Sequence, residues 1–387
     1  MLDWLVIGGG VHGTHLTLHL MRRGRVPQDR IRILDPHAVP LARWTSCTKN
    51  CGMGFLRSPF VHHIDLPADS LMHFTDKGIG KALKSFIDPF YRPSTPLFYA
   101  HSDHVIRKNK IEEMRIIGRA EGLSEIEGGY RVETAQGSIE ARKILLAISP
   151  MDSPLWPEWA LALKQSGAPI DHVFAMDFDR QKMPDFESAV VIGGGITGAQ
   201  LTMALAKRRP GNVTLVTPHV PRVHRFDSNS GWMGPRNMQR FCTETDYCNR
   251  RAIIRQARHK GSMPAEVRGT LRRAAELGKL TVKVTMVTNG SFDGREMILD
   301  CEDGTTLRAS RVVLSTGFEQ KRPGGAWLDR AIEEMGLPVS ACGFPIVDPK
   351  LRWHGGIHCT GALAELELGP PARNIVGARH AAERIQA

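Results

Sequence analysis

Two copies of one glycine pattern restrict this chain to few folds. Leu5-Val6-Ile7-Gly8-Gly9-Gly10-Val11-His12-Gly13 stands at the N-terminus, and Val190-Val191-Ile192-Gly193-Gly194-Gly195-Ile196-Thr197-Gly198 stands near the middle. In each, an apolar run enters Gly-x-Gly-x-x-Gly and a helical segment leaves it. A dinucleotide turn needs this geometry. The first glycine permits the tight turn, the second admits a pyrophosphate close to the backbone, and the third lets helix and strand pack closely. The helix then aims its positive N-terminal end at the phosphates.

The rest of the chain repeats around the two turns. The first unit reads as a strand over residues 3–7, the turn, a helix over 14–23 and a strand over 31–34 that ends at Asp35. Residues 36–99 are rich in Pro, Gly and His without clean periodicity, the kind of stretch that carries binding groups. Residues 96–106 resume as extended chain and helix. Short alternating runs over 114–120, 130–135 and 138–147 predict an antiparallel meander ending in a buried strand. Residues 149–185, with several prolines and two tryptophans, read as a linker. The second unit follows the same plan: strand 189–192, the turn, helix 199–208 and strand 213–216. An insertion then runs to about residue 279, with basic helical stretches near 250–260 and 265–276. Runs over 281–288, 296–300 and 306–314 predict a second meander. Residues 319–387 are too few to fold alone.

Composition narrows the class. The chain carries a formal charge of +11 with only 6% aromatic residues. Its basic residues lack aromatic interleaving and any RNA-binding signature, so the charge reads as adaptation to anionic cofactors rather than to nucleic acid. No apolar run approaches the ~18–20 residues of a membrane span. The N-terminal strand lacks the basic start and cleavage site of a signal peptide. Seven scattered cysteines do not suit a disulfide framework, which predicts a reducing, cytoplasmic setting.

The two turns differ where the cofactor is chosen. Asp35 follows the first, where an acid accepts hydrogen bonds from adenosine ribose hydroxyls. Thr217 stands at the matching place after the second, with Arg222, Arg225 and Lys207-Arg208-Arg209 nearby in sequence. Losing the acid removes repulsion toward a 2′-phosphate, and guanidinium donors attract it. The first site therefore suits FAD or NAD and the second suits NADPH. Two nicotinamide sites in one chain make little chemical sense, whereas FAD beside NADPH forms a hydride relay. The candidate cofactor residues are Gly8, Gly10, His12, Gly13 and Asp35 in the first unit. In the second they are Gly193, Gly195, Thr197, Gly198, Thr217, Arg222 and Arg225.

This arrangement resembles the two-dinucleotide flavoprotein superfamily, which contains glutathione-reductase-like disulfide reductases and class B flavin monooxygenases. The resemblance covers nearly the whole chain. It implies an α/β fold of two Rossmann-like, glutathione-reductase-type domains, with an NADPH domain (186–318) inserted into an FAD domain (1–175, completed by 319–387). Ser315-Thr316-Gly317-Phe318 resembles the superfamily's closing Ala-Thr-Gly segment. Thr360-Gly361 with residues 369–375 resembles the C-terminal stretch that approaches the isoalloxazine ring. Thr316, Gly317, Thr360, Gly361 and Asn374 thus join the implied cofactor set. Met53-Gly54-Phe55-Leu56-Arg57-Ser58-Pro59 resembles the segment over the flavin in the ornithine/lysine N-hydroxylase group. Ile170-Asp171-His172-Val173-Phe174 resembles that group's linker but lacks its Ser.

The resemblance implies a monooxygenase in which NADPH reduces FAD and a flavin C4a-hydroperoxide passes oxygen to a small nucleophile, an amine or a sulfide, with O2 as co-substrate. Such chemistry asks the protein to hold NADP⁺ and keep water out. Arg57, Ser58, His62 and His63 are the candidate catalytic residues bordering that pocket. His62 and His63 read equally well as loop histidines. They show no metal-ligand spacing with His73 or the carboxylates, so no metal is expected. A rival reading is an NADPH-dependent flavin disulfide reductase using Cys47 and Cys51, which follow the ribose acid as a redox pair would. Their spacing is Cys-x3-Cys rather than that family's four-residue gap. A third reading is a non-catalytic flavin- or nucleotide-binding regulator. The chain is compatible with a homo-oligomer, and nothing in it calls for a membrane or nucleic-acid partner.

Overall fold

In the computed structural model, which describes residues 1–386, β1 (Leu2–Ile7) runs into the first glycine turn and α1 (Val11–Arg22) leaves it. Sterics make glycine obligatory there. A Cβ on Gly8, at φ +110°, would stand 2.5 Å from the Ala147 carbonyl oxygen, and one on Gly13 would stand 1.8 Å from the Gly8 carbonyl oxygen. The second turn repeats both contacts, Gly193 against the Ser315 carbonyl oxygen at 2.5 Å and Gly198 against that of Gly193 at 2.3 Å. Each turn is thus seated on the end of its unit's closing strand.

β2 (Ile31–Asp35) pairs parallel with β1, buried as a central parallel strand must be. The region expected to be loop holds a ten-residue helix, α2 (Ala42–Cys51), and the helix expected within residues 96–106 is α3 (Thr95–Lys108). A Pro in the first turn of α3 and the Ser94 side chain, which accepts from the Leu97 N–H, start that helix. The run expected to open the meander behaves differently. Its residues β3 (Arg115–Ile117) pair parallel with β2, because a strand returning from a helix continues the right-handed crossover. The chain turns back only at β4 (Gly122–Ile126), β5 (Gly129–Thr134) and β6 (Gly137–Leu146), and β6 then runs on beside β1.

The stretch expected to be a linker contains β7 (Ile170–His172), a strand of the second sheet, so the expected first-domain limit at residue 175 falls beyond the change of sheet. The sequence run was too short and too interrupted by Pro169 and Asp171 to declare itself. The second unit continues with β8 (Ala189–Ile192), α4 (Ile196–Ala206), β9 (Val213–Thr217), the insertion helix α5 (Tyr247–Ala257) and β10 (Thr281–Val284). As in the first unit, β10 is a parallel edge strand rather than the start of a meander. The meander itself is β11 (Val287–Phe292), β12 (Met297–Cys301) and β13 (Thr306–Ala309), an antiparallel sheet that leads into β14 (Arg311–Leu314). The parallel order is β10-β9-β8-β14-β7.

The C-terminal residues return to the first sheet. β15 (Arg352–His354) pairs with β16 (Ile357–Cys359), and β16 pairs parallel with β6, giving the order β15-β16-β6-β1-β2-β3 with β4 and β5 to the side. The last helix, α6 (Ile375–Arg384), packs on α1. The two units also share packing, since α2 lies against α4 and a Cβ on Gly52 would stand 3.0 Å from the Ala204 Cβ. No helix among the described residues is long and apolar enough to cross a membrane.

Candidate functional site

A cavity of about 790 Å³ runs along the C-terminal ends of the first sheet, the position at which open α/β sheets bind ligands. Gly8, Gly10, His12 and Asp35 border it at the first turn, and Gly361, Asn374 and Ile375 border it at the far end. Among the candidate catalytic residues Arg57, Ser58 and His62 line it, and His63 does not. The second unit reaches the cavity through Ile196 at the head of α4 and through Phe226, Asp227, Ser228 and Met233 of the insertion.

At one end Asp35 is held in place by three donors and keeps a lone pair free on Oδ2. Its Oδ2 accepts from the Gly9 amide at 2.6 Å, while Oδ1 accepts from the His37 amide at 2.9 Å and from Arg115 Nη2 at 3.2 Å. The Arg115 side chain is 4% exposed and that of Asp35 12%, so this is a nearly dry ion pair. Arg115 escaped the sequence reading because its partner is set by the register of β3 on β2, which no local pattern shows. At the middle, a Cβ on Gly10 would meet nothing within 4 Å. The amide-lined floor there is open to a pyrophosphate. At the far end the N-terminus of α6 faces the cavity through Asn374, Ile375 and Val376. Acid, open glycine turn and helix N-terminus are spaced along one cleft, and together they fit FAD.

His12 and Thr360 meet behind this cleft, where Thr360 Oγ1 lies 2.9 Å from His12 Nδ1. Burial pushes the His12 pKa down to about 4 and that of His62 to about 4, so both imidazoles are neutral near pH 7. His63 is a structural histidine. It packs on His101, accepts the Asp65 amide on Nδ1 at 3.2 Å, and burial pushes its pKa down to about 3. The Arg57 guanidinium is spent on the protein itself, on the carbonyl oxygens of His224, Arg225 and Phe226. Its assignment as a substrate-facing group gives way to one as a bridge between the units.

Arg373 was not singled out from the sequence, yet it lines the cavity. It donates to both oxygens of Glu365, at 2.6 and 2.9 Å, and Arg251 of α5 pairs with the same carboxylate. Glu365 is 1% exposed. Burial lowers both arginines to about 10, and the triad fastens the insertion to the C-terminal segment.

The second glycine turn does not open on a comparable cleft. Thr217 is buried and donates to the His219 carbonyl at 2.8 Å, and Arg222 and Arg225 are exposed. The Arg225 guanidinium sits 5.3 Å from the centre of the Phe90 ring. Lys207, Arg208 and Arg209 follow the C-terminus of α4, at the end opposite the turn, and Arg208 and Arg209 pair with Asp185. Proximity in sequence misled there. Thr316 and Gly317 lie off the cavity in a crossover between the units. Thr316 donates to the Leu155 carbonyl at 2.5 Å, and the Leu155 amide donates to the Gly317 carbonyl at 2.9 Å. Residues 147–153 and 323–325 take the cavity wall instead.

Cys47 and Cys51 are also displaced from the cavity. They lie one turn apart on α2, buried against Ala199, Leu201 and Leu205. Burial pushes their thiols up to about 11 and about 12, and Thr197 hydrogen-bonds Cys51. Thr197 therefore serves the interface between α2 and α4. A thiol held neutral is a poor relay for thiol–disulfide exchange. Among the described residues no group of three His, Cys, Asp or Glu side chains is arranged to hold a metal.

Two parallel sheets, each led by a glycine turn, with the head of the second glycine helix brought to the first unit's cleft, define a two-dinucleotide α/β scaffold. The chain belongs to the pyridine nucleotide-disulphide oxidoreductase family, whose model matches residues 131–383. Solved structures share the fold over almost its full length. The desferrioxamine-pathway cadaverine monooxygenase of Erwinia amylovora is 15% identical, with 99% of this chain and 93% of that one covered and a TM-score of 0.77. The ornithine N-hydroxylase of Kutzneria sp. 744 is 15% identical, with 99% and 97% covered and a TM-score of 0.78. The L-lysine 6-monooxygenase of Pseudomonas syringae is 17% identical, with 99% of each covered and a TM-score of 0.72. No curated protein sequence matches the chain.

Proposed function

We propose that this protein is an FAD- and NADPH-dependent monooxygenase that N- or S-oxygenates a small amine or sulfide. The observation that carries the proposal is the convergence on one cavity of the first glycine turn, the N-terminus of α6 and Ile196 at the head of α4. One cleft is thereby placed where a flavin and a nicotinamide can meet, with both cysteines outside it. Structural neighbours named for cadaverine, ornithine and lysine oxygenation bring amines of that kind within the proposal.

Each part of the cleft has a task in this reading. Asp35 accepts the adenosine ribose hydroxyls, the amides around Gly10 meet the pyrophosphate, and the head of α6 offers positive potential to the ring system. Met53, Leu56, Phe226 and Met233 form apolar walls that exclude water. Ser58 and His62 are uncharged polar groups on the cavity wall, available to orient a bound nucleophile. FAD, when bound, supplies the electron storage and oxygen chemistry between NADPH and O2. The second glycine turn, with Thr217 in place of an acid, is the nicotinamide site, and residues 186–318 together with β7 form its domain. The setting is cytoplasmic. NADPH oxidation screened over amines, amino acids and sulfides, with H2O2 measured in parallel, tests the proposal. Stimulated oxidation without matching peroxide identifies a coupled substrate, and peroxide accounting for all NADPH with every compound refutes oxygenation.

A further inference from the structure

The two glycine turns match in backbone and differ in what stands before them. The second glycine of such a turn is where a pyrophosphate approaches closest. At Gly10 that approach is open, with nothing within 4 Å of where a Cβ would be. At Gly195 the Cα of Gly261 stands 3.7 Å from the same point. The His219 ring stands beside Gly194 much as Arg115 stands beside Gly9, and it supports Gly261 from behind, 2.6 Å from where a Cβ on that glycine would be. Gly261 has φ +66°, a conformation that glycine adopts without cost. Gly261 of the chain itself thus stands in van der Waals contact over the second turn, where nothing stands over the first.

Backbone bonds within the second unit hold this cover, His224 N–H to the Met263 carbonyl at 3.1 Å and His259 N–H to that of Asp227 at 2.8 Å, and a further fastening comes from the other unit. Arg57 Nε donates to the Arg225 carbonyl at 3.0 Å, and Nη2 reaches the carbonyls of His224 and Phe226 at 2.7 and 2.8 Å and Ser262 Oγ at 2.9 Å. Ser262 Oγ in turn donates to the His259 carbonyl at 2.5 Å. Arg222-Val223 and Ser262-Met263 lie side by side as a short parallel pair. One guanidinium therefore ties both flanks of the cover while its own side chain lines the first cavity.

We infer that Arg57 is a latch on the nicotinamide site. Residues 259–263 must lift from the second turn before a dinucleotide can seat on it, and Arg57 sets how often they do. The inference rests on the reading of that turn as the NADPH site. It also couples the two sites, because whatever displaces Arg57 at the first cavity loosens the cover at the second. A ligand that binds only the open form has its affinity reduced by the open fraction, so freeing the cover tightens binding. Charge-assisted hydrogen bonds of this kind make the expected gain about tenfold.

The test uses the FAD-loaded protein with NADP⁺ as probe, comparing wild type with Arg57→Met, Arg57→Lys and Ser262→Ala. Calorimetry gives the NADP⁺ Kd, and hydrogen exchange of residues 257–264 without nucleotide reports the cover. Arg57→Met is expected to bind NADP⁺ about tenfold more tightly and to exchange faster over this segment. Arg57→Lys, which keeps the charge but not the forked donors, falls between it and wild type. Ser262→Ala shifts both readouts in the same direction by less, and it serves should Arg57→Met fail to fold. Unchanged exchange in Arg57→Met overturns the latch. So does NADP⁺ binding that weakens as exchange quickens, because the segment is then a wall of the site. If exchange rises and no variant binds NADP⁺, the latch stands and the NADPH reading of the second turn falls.

Discussion

His12 Nε2 stands 3.0 Å from the carbonyl oxygen of Asn374, while its Nδ1 meets Thr360 Oγ1 at 2.9 Å. A carbonyl can only accept, so Nε2 carries the proton and Nδ1 accepts from the threonine hydroxyl. This neutral imidazole joins the glycine turn to the head of α6, the two parts of the cleft proposed to grip opposite regions of FAD. His12→Ala leaves the Thr360 hydroxyl and the Asn374 carbonyl without this partner, a loss of about 1–3 kcal/mol. FAD affinity in the variant is expected to fall about tenfold, with faster hydrogen exchange in the first turn of α6. An unchanged FAD Kd, measured by fluorescence on release, contradicts the assignment.

Burial of several histidines makes stability depend on pH. His12, His15 and His62 are pushed down to about 4 and His63 to about 3, from an ordinary 6.5. The unfolded chain protonates these rings at a higher pH than the folded one does. Their contribution is therefore fully present above pH 6.5 and is lost as pH falls toward 4. At pH ~5.5 each removes on the order of 1 kcal/mol. Urea denaturation should show a midpoint dropping steeply from pH 7 to 5, whereas a flat profile places these rings in water.

The pair of Arg115 and Asp35 offers a test at the adenosine end. Arg115→Met removes one partner of a nearly dry ion pair and leaves the carboxylate uncompensated, a loss of about 3 kcal/mol in stability. FAD binding is expected to stabilise this variant less than it stabilises wild type, as thermal melts with and without FAD would show. An equal FAD-induced rise in Tm argues that Asp35 does not depend on Arg115.

Cys47→Ala/Cys51→Ala is expected to retain NADPH oxidation and product formation within about twofold of wild type. The loss should appear instead as destabilisation of about 1–2 kcal/mol from the cavities left between α2 and α4. A folded double variant unable to oxidise NADPH restores the disulfide-reductase reading.

Much of the fold was legible because its governing features are local. Apolar strands, glycine turns and Asp35 lie close together in sequence, and the duplication exposed the plan of both units. Long-range features were not legible. β7 is three residues that become a strand only by pairing with β14. The same holds for β3 and β10, whose short runs look like the start of meanders until their parallel partners are in place. In the cleft, Asp35, His12, Gly361 and Asn374 were found through motif positions. Arg115 and Arg373 were missed, because ion pairs between distant segments leave no spacing to read. Arg57 was found for its place in a motif, but its carbonyl partners lie in the insertion and give it a different task.

Electrons from NADPH are proposed to leave this protein through oxygen transfer to a small nucleophile. The direct measurement follows anaerobic reduction of the FAD-loaded protein by NADPH and then, after admission of O2 with a coupled amine or sulfide, counts oxygenated product and H2O2 against NADPH consumed. Rapid reduction is expected, with product nearly equal to NADPH consumed and peroxide a minor fraction. Flavin that NADPH does not reduce, or electrons recovered entirely as H2O2 with every nucleophile offered, contradicts it.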